Sequence, residues 1–179
     1  MKKLHFILVM FLACVLNIMP VLGQSDSKND KVVADSKTAK AEFLKKDALM
    51  KGLFESAYGY VIFPNVGKGG IGVGGAAGNG VVYEKDVMVG MAKLSQVSIG
   101  LQAGGQAYRE IIFFESKKEL DRFKNSQFEF SAQASAVAAK AGASANAKYT
   151  NGVMVFTMQK GGLMYEASIG GQKFKFKKM

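Results

Sequence analysis

Apolar and polar positions change their period several times along the chain, and each change marks a predicted element. Leu4 to Leu22 is apolar apart from His5, Asn17 and Pro20, and Lys2-Lys3 stands in front of it. Gln24 to about Thr38 is a run of Ser, Asp, Lys, Asn and Ala without apolar periodicity, which predicts a flexible tether. Between Ala39 and Ala57 the pattern turns helical, with Phe43, Leu44, Ala48, Met50, Leu53 and Phe54 at that spacing. Lys40, Lys45, Lys46 and Lys51 fall mostly elsewhere on the wheel, giving a basic amphipathic helix.

Beyond it the pattern is that of strands: Tyr58 to Phe63, about Gly70 to Ala76, Gly80 to Glu84 and Val87 to Leu94. Val97, Ile99 and Leu101 alternate with Gln96, Ser98, Gly100 and Gln102, a half-buried strand by its period of two. Tyr108 to Phe114 follows, and Ser116-Lys-Lys-Glu119 is a capping box opening a short helix with Leu120 and Phe123 inward. Phe128 to Ala136 keeps a two-residue alternation and is assigned to a strand despite its alanines. Val153 to Gln159, Leu163 to Ile169 and Gln172 to Lys177 complete the set, with Gly170-Gly171 as a hairpin signal. The expected fold is α+β, mainly β: a curved, mostly antiparallel sheet, open or closed into a barrel, with an N-terminal amphipathic helix and a second short helix.

The run from Gly67 to Gly80 holds eight glycines in fourteen residues. Gly72-Val-Gly74-Gly-Ala-Ala77 fits a relaxed dinucleotide pattern, but such a turn must open a helix facing the phosphates, and a further strand follows instead. Gly67-Lys68 has Ile62 at the position where a P-loop needs glycine, and Gly69 where it needs Ser or Thr. The glycines therefore read as strands that bend sharply or meet another backbone closely.

Charge and composition narrow the function. Residues 1–23 have the layout of a secretory signal, with small-residue cleavage offered at Val21-Leu22-Gly23; a lipoprotein site at Cys14 is the less favoured alternative, because hydrophobic residues continue after the cysteine. Lys2 and Lys3 leave with the signal, so the 24 basic residues become 22 against 14 acids. The only Cys and the only His leave too, which removes thiol nucleophiles, imidazole bases and Cys or His metal ligands from the mature protein. Glu84, Asp86, Glu110, Glu115, Glu129 and Glu166 show no spacing that selects an acid/base pair, and solvated surface is their default. The domain plan is signal 1–23, linker 24–38 and one domain over 39–179.

Three segments carry a resemblance. Tyr58-Gly-Tyr-Val-Ile-Phe-Pro64 with the glycine run and Gly80-Val-Val82, then Ser98-Ile-Gly-Leu-Gln-Ala-Gly-Gly-Gln106, then Gly162-Leu-Met-Tyr-Glu-Ala-Ser-Ile-Gly170, resemble the SYLF (Ysc84-type) domain in its own order. The chain departs from that family in having no Trp-Ser-x-Pro before the central motif and no Gly-Pro after Phe128. The resemblance implies a non-catalytic, cofactor-free domain that associates with membrane lipids. Yeast-type relatives also bind actin, which an exported protein would not meet, so only anionic lipid binding is carried over.

Two candidate lipid sites follow. One is the helix, with Lys40, Lys45, Lys46 and Lys51 toward headgroups and Phe43, Met50 and Phe54 toward acyl chains; its competing reading is a core helix with a solvated charged face. The other is the terminal strand, where Lys173, Lys175 and Lys177 share a face and Lys178 follows; its competing reading is an edge strand guarded by lysines. The expected partner is an anionic phospholipid or membrane surface, with no nucleic acid and no metal, the protein being periplasmic or secreted. Two alternatives stay open: a carrier with a cavity lined by Ala132, Ala134, Ala136 and Ala138, and an envelope interaction protein.

Overall fold

A computed structural model describes residues 23–130, 136–161 and 169–179. The expected signal segment up to residue 22, residues 131–135 of the alanine-rich stretch and the expected strand from Leu163 lie outside these residues, Ile169 excepted. The chain forms two compact units, Met1–Lys31 and Val32–Met179. Among the described residues no helix is long and apolar enough to cross a membrane.

The elements are α1 (Gly23–Lys46), α2 (Met50–Ser56), β1 (Gly59–Glu84), β2 (Val87–Phe114), α3 (Lys117–Lys124), β3 (Val137–Ala138), a 3-10 turn (Ala143–Asn146), β4 (Val153–Gly161) and β5 (Gln172–Lys178). The stretch 24–38, expected as a tether, is helical. Its buried face runs Ser36, Ala39, Phe43, and the spacing continues through Asp47 to Met50. Ser36 and Ala39 are small enough to pack closely but add nothing to an apolar count, so the helix was hidden from periodicity. The amphipathic segment is also two helices rather than one, separated at Asp47.

The sheet is built on a single hairpin. β1, of 26 residues, and β2, of 28, absorb the six separate strands expected between Tyr58 and Phe114. They turn at Lys85-Asp86, both with positive φ (49° and 64°), the conformation of a two-residue primed turn that matches strand twist. β2 pairs with β1 along one edge; along the other it pairs with β4 through residues 107–114 and with β5 through residues 90–96, all antiparallel, while β3 joins β4 in parallel. Among the described residues this ladder does not close on itself, so the sheet is curved but open.

Glycine lets β1 fold back on itself without leaving the ladder. A Cβ at Gly70 would lie 2.3 Å from Gly74 Cα, and one at Gly80 would lie 2.6 Å from the Phe63 ring and 2.7 Å from Ile62 O. The two arms of β1 thus lie against each other, as close approach without side chains allows. Pro64, which has no N–H to offer, sits at a register shift between Phe63 and Val66.

Two apolar clusters result. The inner face buries Val61, Phe63, Ile112, Phe114 and Phe174 together with Leu120 and Phe123 of α3. The outer face carries Tyr60, Ile62, Ile111, Phe113, Met154 and Phe156, covered by Ala39 and Phe43 of α1 and by Met50 and Phe54 of α2. α3 begins at an N-cap serine, Ser116 Oγ accepting from Lys118 N at 3.2 Å and donating to the Glu119 carboxylate, which ties together the two ends of the expected capping box. Phe128 and Phe130 are buried and Glu129 is exposed, which keeps the expected alternation, and among the described residues of this stretch up to Phe130 a single bridge, from Glu129 to Lys173, forms.

Candidate functional site

The helical candidate divides into core and surface. Phe43, Met50 and Phe54 are buried in the outer cluster, so in this fold they have no surface to give a bilayer. Lys40 is anchored: its Nζ lies 2.7 Å from Asp86 Oδ1, donates to Tyr60 Oη at 2.8 Å and sits 4.6 Å from the centre of the Phe54 ring. These bonds run from α1 to the β1–β2 turn. The Lys40 contact, then that from Tyr60, holds the Asp86 carboxyl below its usual range, while burial first and Asp86 second push the Tyr60 hydroxyl up. Glu42 is likewise engaged, by Arg109 Nη2 at 2.7 Å. Lys45, Lys46 and Lys51 remain exposed, Lys51 with Glu55 3.7 Å away.

A groove of about 660 Å³ lies between the helices and the β1–β2 turn, lined by Lys51, Lys85, Glu55, Asp86, Phe54 and Tyr58 among others. Its charges are of both signs, so it selects neither an anion nor a cation.

The β5 candidate stands differently. Strand alternation buries Gln172 and Phe174 and exposes Lys173, Lys175 and Lys177, with Lys178 also exposed. Register then adds a lysine that the sequence reading missed: Lys93 of β2 is exposed and directly opposite Lys175. Like charges facing each other across strands are unfavourable. Among the described residues neither has an acidic partner; Lys173 alone on this face meets one, Glu129 Oε2 at 3.6 Å. Only the β2–β5 pairing could have revealed Lys93, since nothing local distinguishes it.

The face continues beyond the lysines. Asn79, Lys93 and Lys175 form one cross-strand row, Ala77, Ser95 and Lys173 the next, and Gly75 and Val97 the third, with Val73 two residues further along β1. Val97 is 74% exposed and Val73 63%, whereas Gln96 is only 5% exposed and donates to Gly170 O at 2.7 Å. The period of two holds through Val97, and at this point the polar residue is the buried one.

The carboxylates offer no acid/base pair. Glu84 receives Lys124 and the Tyr58 hydroxyl, in that order of effect, and both hold it below its usual range. Glu110, expected at the surface, is fully buried. Burial pushes its pKa up to about 8 against a hydrogen bond from Gln172 Nε2 at 3.0 Å. No group of three metal-capable side chains occurs among the described residues. Of the alanines offered for a carrier cavity, Ala132 and Ala134 lie outside the described residues, Ala136 is half-buried and Ala138 is exposed.

Fold and surface together define a mainly β, α+β domain whose most distinctive chemistry is an exposed basic face. Residues 95–178 match the family model described as Ysc84, Las17-binding protein actin regulator, the same Ysc84-type (SYLF) family that the sequence motifs resemble. Beta cell expansion factor A of Aeromonas veronii, a member of the SYLF family, is 30% identical over 138 residues, covering 76% of this chain and 52% of the relative. The chain thus spans about half the length of that relative. Domains of this family are generally non-catalytic binding modules.

Proposed function

We propose that the protein binds anionic phospholipid at a membrane surface, without catalysis, as a peripheral protein on the exported side of a bacterial cell. The observation that carries this reading is the opposition of Lys93 and Lys175, both exposed and, among the described residues, without acidic partners, within a row of lysines on β5. A surface that tolerates facing like charges is relieved when an anionic sheet covers it. Each lysine near such a surface is worth about 1 kcal/mol and loses value as salt screens it. Likeness to this family supports binding of this general kind, and the actin link in the family's description is not carried over.

Co-sedimentation of the mature protein with neutral and anionic vesicles across a salt series tests the proposal. Binding is expected with anionic vesicles only and declines as salt rises. Lys93→Glu with Lys175→Glu lowers it at least tenfold, while Lys45→Glu with Lys46→Glu has a smaller effect. Equal binding to both vesicle types, or none to either, sinks the reading.

A further inference from the structure

The exposed face has an apolar end as well as a basic one. Val73 and Val97 are among the most exposed large hydrophobic side chains described, and the β1–β2 register makes them diagonal neighbours through the Gly75–Val97 pair. Gly75 between them carries no side chain, so the two valines stand clear of their surroundings. What β2 places on each side at this point is the informative part: a glutamine inward and a valine outward. Turning Val97 outward required burying Gln96, whose Oε1 has no hydrogen-bond partner even though its Nε2 reaches Gly170 O. A chain that buries an imperfectly paired amide to expose a valine departs from ordinary core economy, and such local inconsistencies concentrate at functional sites.

We infer that the outer face around Val73 and Val97 inserts into the interfacial layer of an anionic bilayer, with Lys93, Lys173 and Lys175 holding the headgroups behind it. The inference rests on the anionic-lipid reading and adds depth to it: contact is apolar at one end and electrostatic at the other. Geometry and charge both select this occupant. Val97 lies four residues from Lys93 along β2, about 13 Å in an extended strand. A bilayer passes from headgroups to hydrocarbon over about 5–8 Å per leaflet, less than this separation, so with the valines at the hydrocarbon boundary the lysines stand at headgroup level, within reach of their flexible stems. A water-soluble polyanion would satisfy the lysines but leave the valines wet.

The chain contains no tryptophan, so one introduced at this face is a unique reporter. Val97→Trp is placed on the proposed face and Leu49→Trp on the exposed junction of α1 and α2, where Leu49 is 59% exposed. With anionic vesicles carrying brominated acyl chains, Val97→Trp emission is expected to shift to the blue and to be quenched by at least half, while Leu49→Trp is unaffected. Val73→Asp with Val97→Asp should weaken vesicle binding at least tenfold with an unchanged circular dichroism spectrum. An unquenched Val97→Trp on protein that still sediments with anionic vesicles overturns insertion and leaves surface binding intact. Quenching at Leu49→Trp alone assigns insertion to the helices and also overturns it. Failure to sediment at all removes both readings.

Discussion

Asp47 ends one helix and holds down a distant turn with the same carboxylate. Its Oδ1 accepts from Leu49 N at 3.2 Å and its Oδ2 from Ser144 N at 2.8 Å, so the break between α1 and α2 is tied to the 3-10 turn. Burial opposes its charge, but the bonds from Ser144, and then from Leu49 and Gly142, outweigh that and hold the carboxyl below its usual range. The stabilisation is therefore present above the unfolded value of about 3.9 and is lost as pH falls through the lower folded value. Asp47→Ala leaves both N–H groups without their acceptor and should cost about 1–3 kcal/mol, read as a lower urea midpoint at pH 7. The variant should also unfold with a flatter acid limb than the parent; an equally steep limb would place that acid sensitivity elsewhere.

The elements show what a one-dimensional pattern can carry. Strand type was legible wherever aliphatic residues cluster, and Ser116-x-x-Glu119 announced α3 through its own capping chemistry. Merging of strands was not legible, because glycine is read locally as a break whereas here it permits a continuous ladder to bend. The lysine face was half legible: alternation placed Lys173, Lys175 and Lys177 together, but Lys93 joins them only through pairing between distant segments. The outward side of Val97 was not legible, because alternation fixes two faces without saying which one meets the core. Glycine substitutions test the bending argument directly. Gly80→Ala drives a methyl into Ile62 O and the Phe63 ring, and an overpacking cost of about 1–3 kcal/mol is expected in thermal or urea unfolding. Gly67→Ala meets nothing within 4 Å and has no positive φ, so it should be neutral or stabilise by up to about 1 kcal/mol. Equal losses at the two positions would contradict the close approach of the β1 arms.

For the molecule as a whole, stability is bounded on both sides of the pH scale. On the acid side stand Asp47, Glu84 and Asp86, all held below their usual ranges. On the other stands Glu110, buried beside Tyr108 and Gln172, with Phe63 opposite on β1 and Thr157 opposite on β4. Among the described residues its Oε1 has no partner, and no cation is paired with it. Because its folded pKa of about 8 exceeds the unfolded value, the folded state keeps a proton that the unfolded state releases. Stability contributed by the protonated form is full below about pH 4.3 and is lost progressively as pH rises toward 8, at up to about 1.4 kcal/mol per unit. The unfolding midpoint should accordingly peak near pH 5, and Glu110→Gln should raise it at pH 8 while leaving pH 5 little changed. A parent protein equally stable at pH 5 and pH 8 would show that Glu110 is ionised at little cost.

The Lys85-Asp86 turn also bears on how the chain finds this arrangement. Every pair between β1 and β2 lies on one hairpin, so pairing can start at Glu84 and Val87 and zip outward, each new pair closing only a small additional loop. Gly59 and Phe114, far apart in sequence, are then brought together by a succession of local steps. The edge that β4 and β5 must find is complete before either arrives. A protein rich in long-range contacts thereby acquires a route of assembly that begins with two residues.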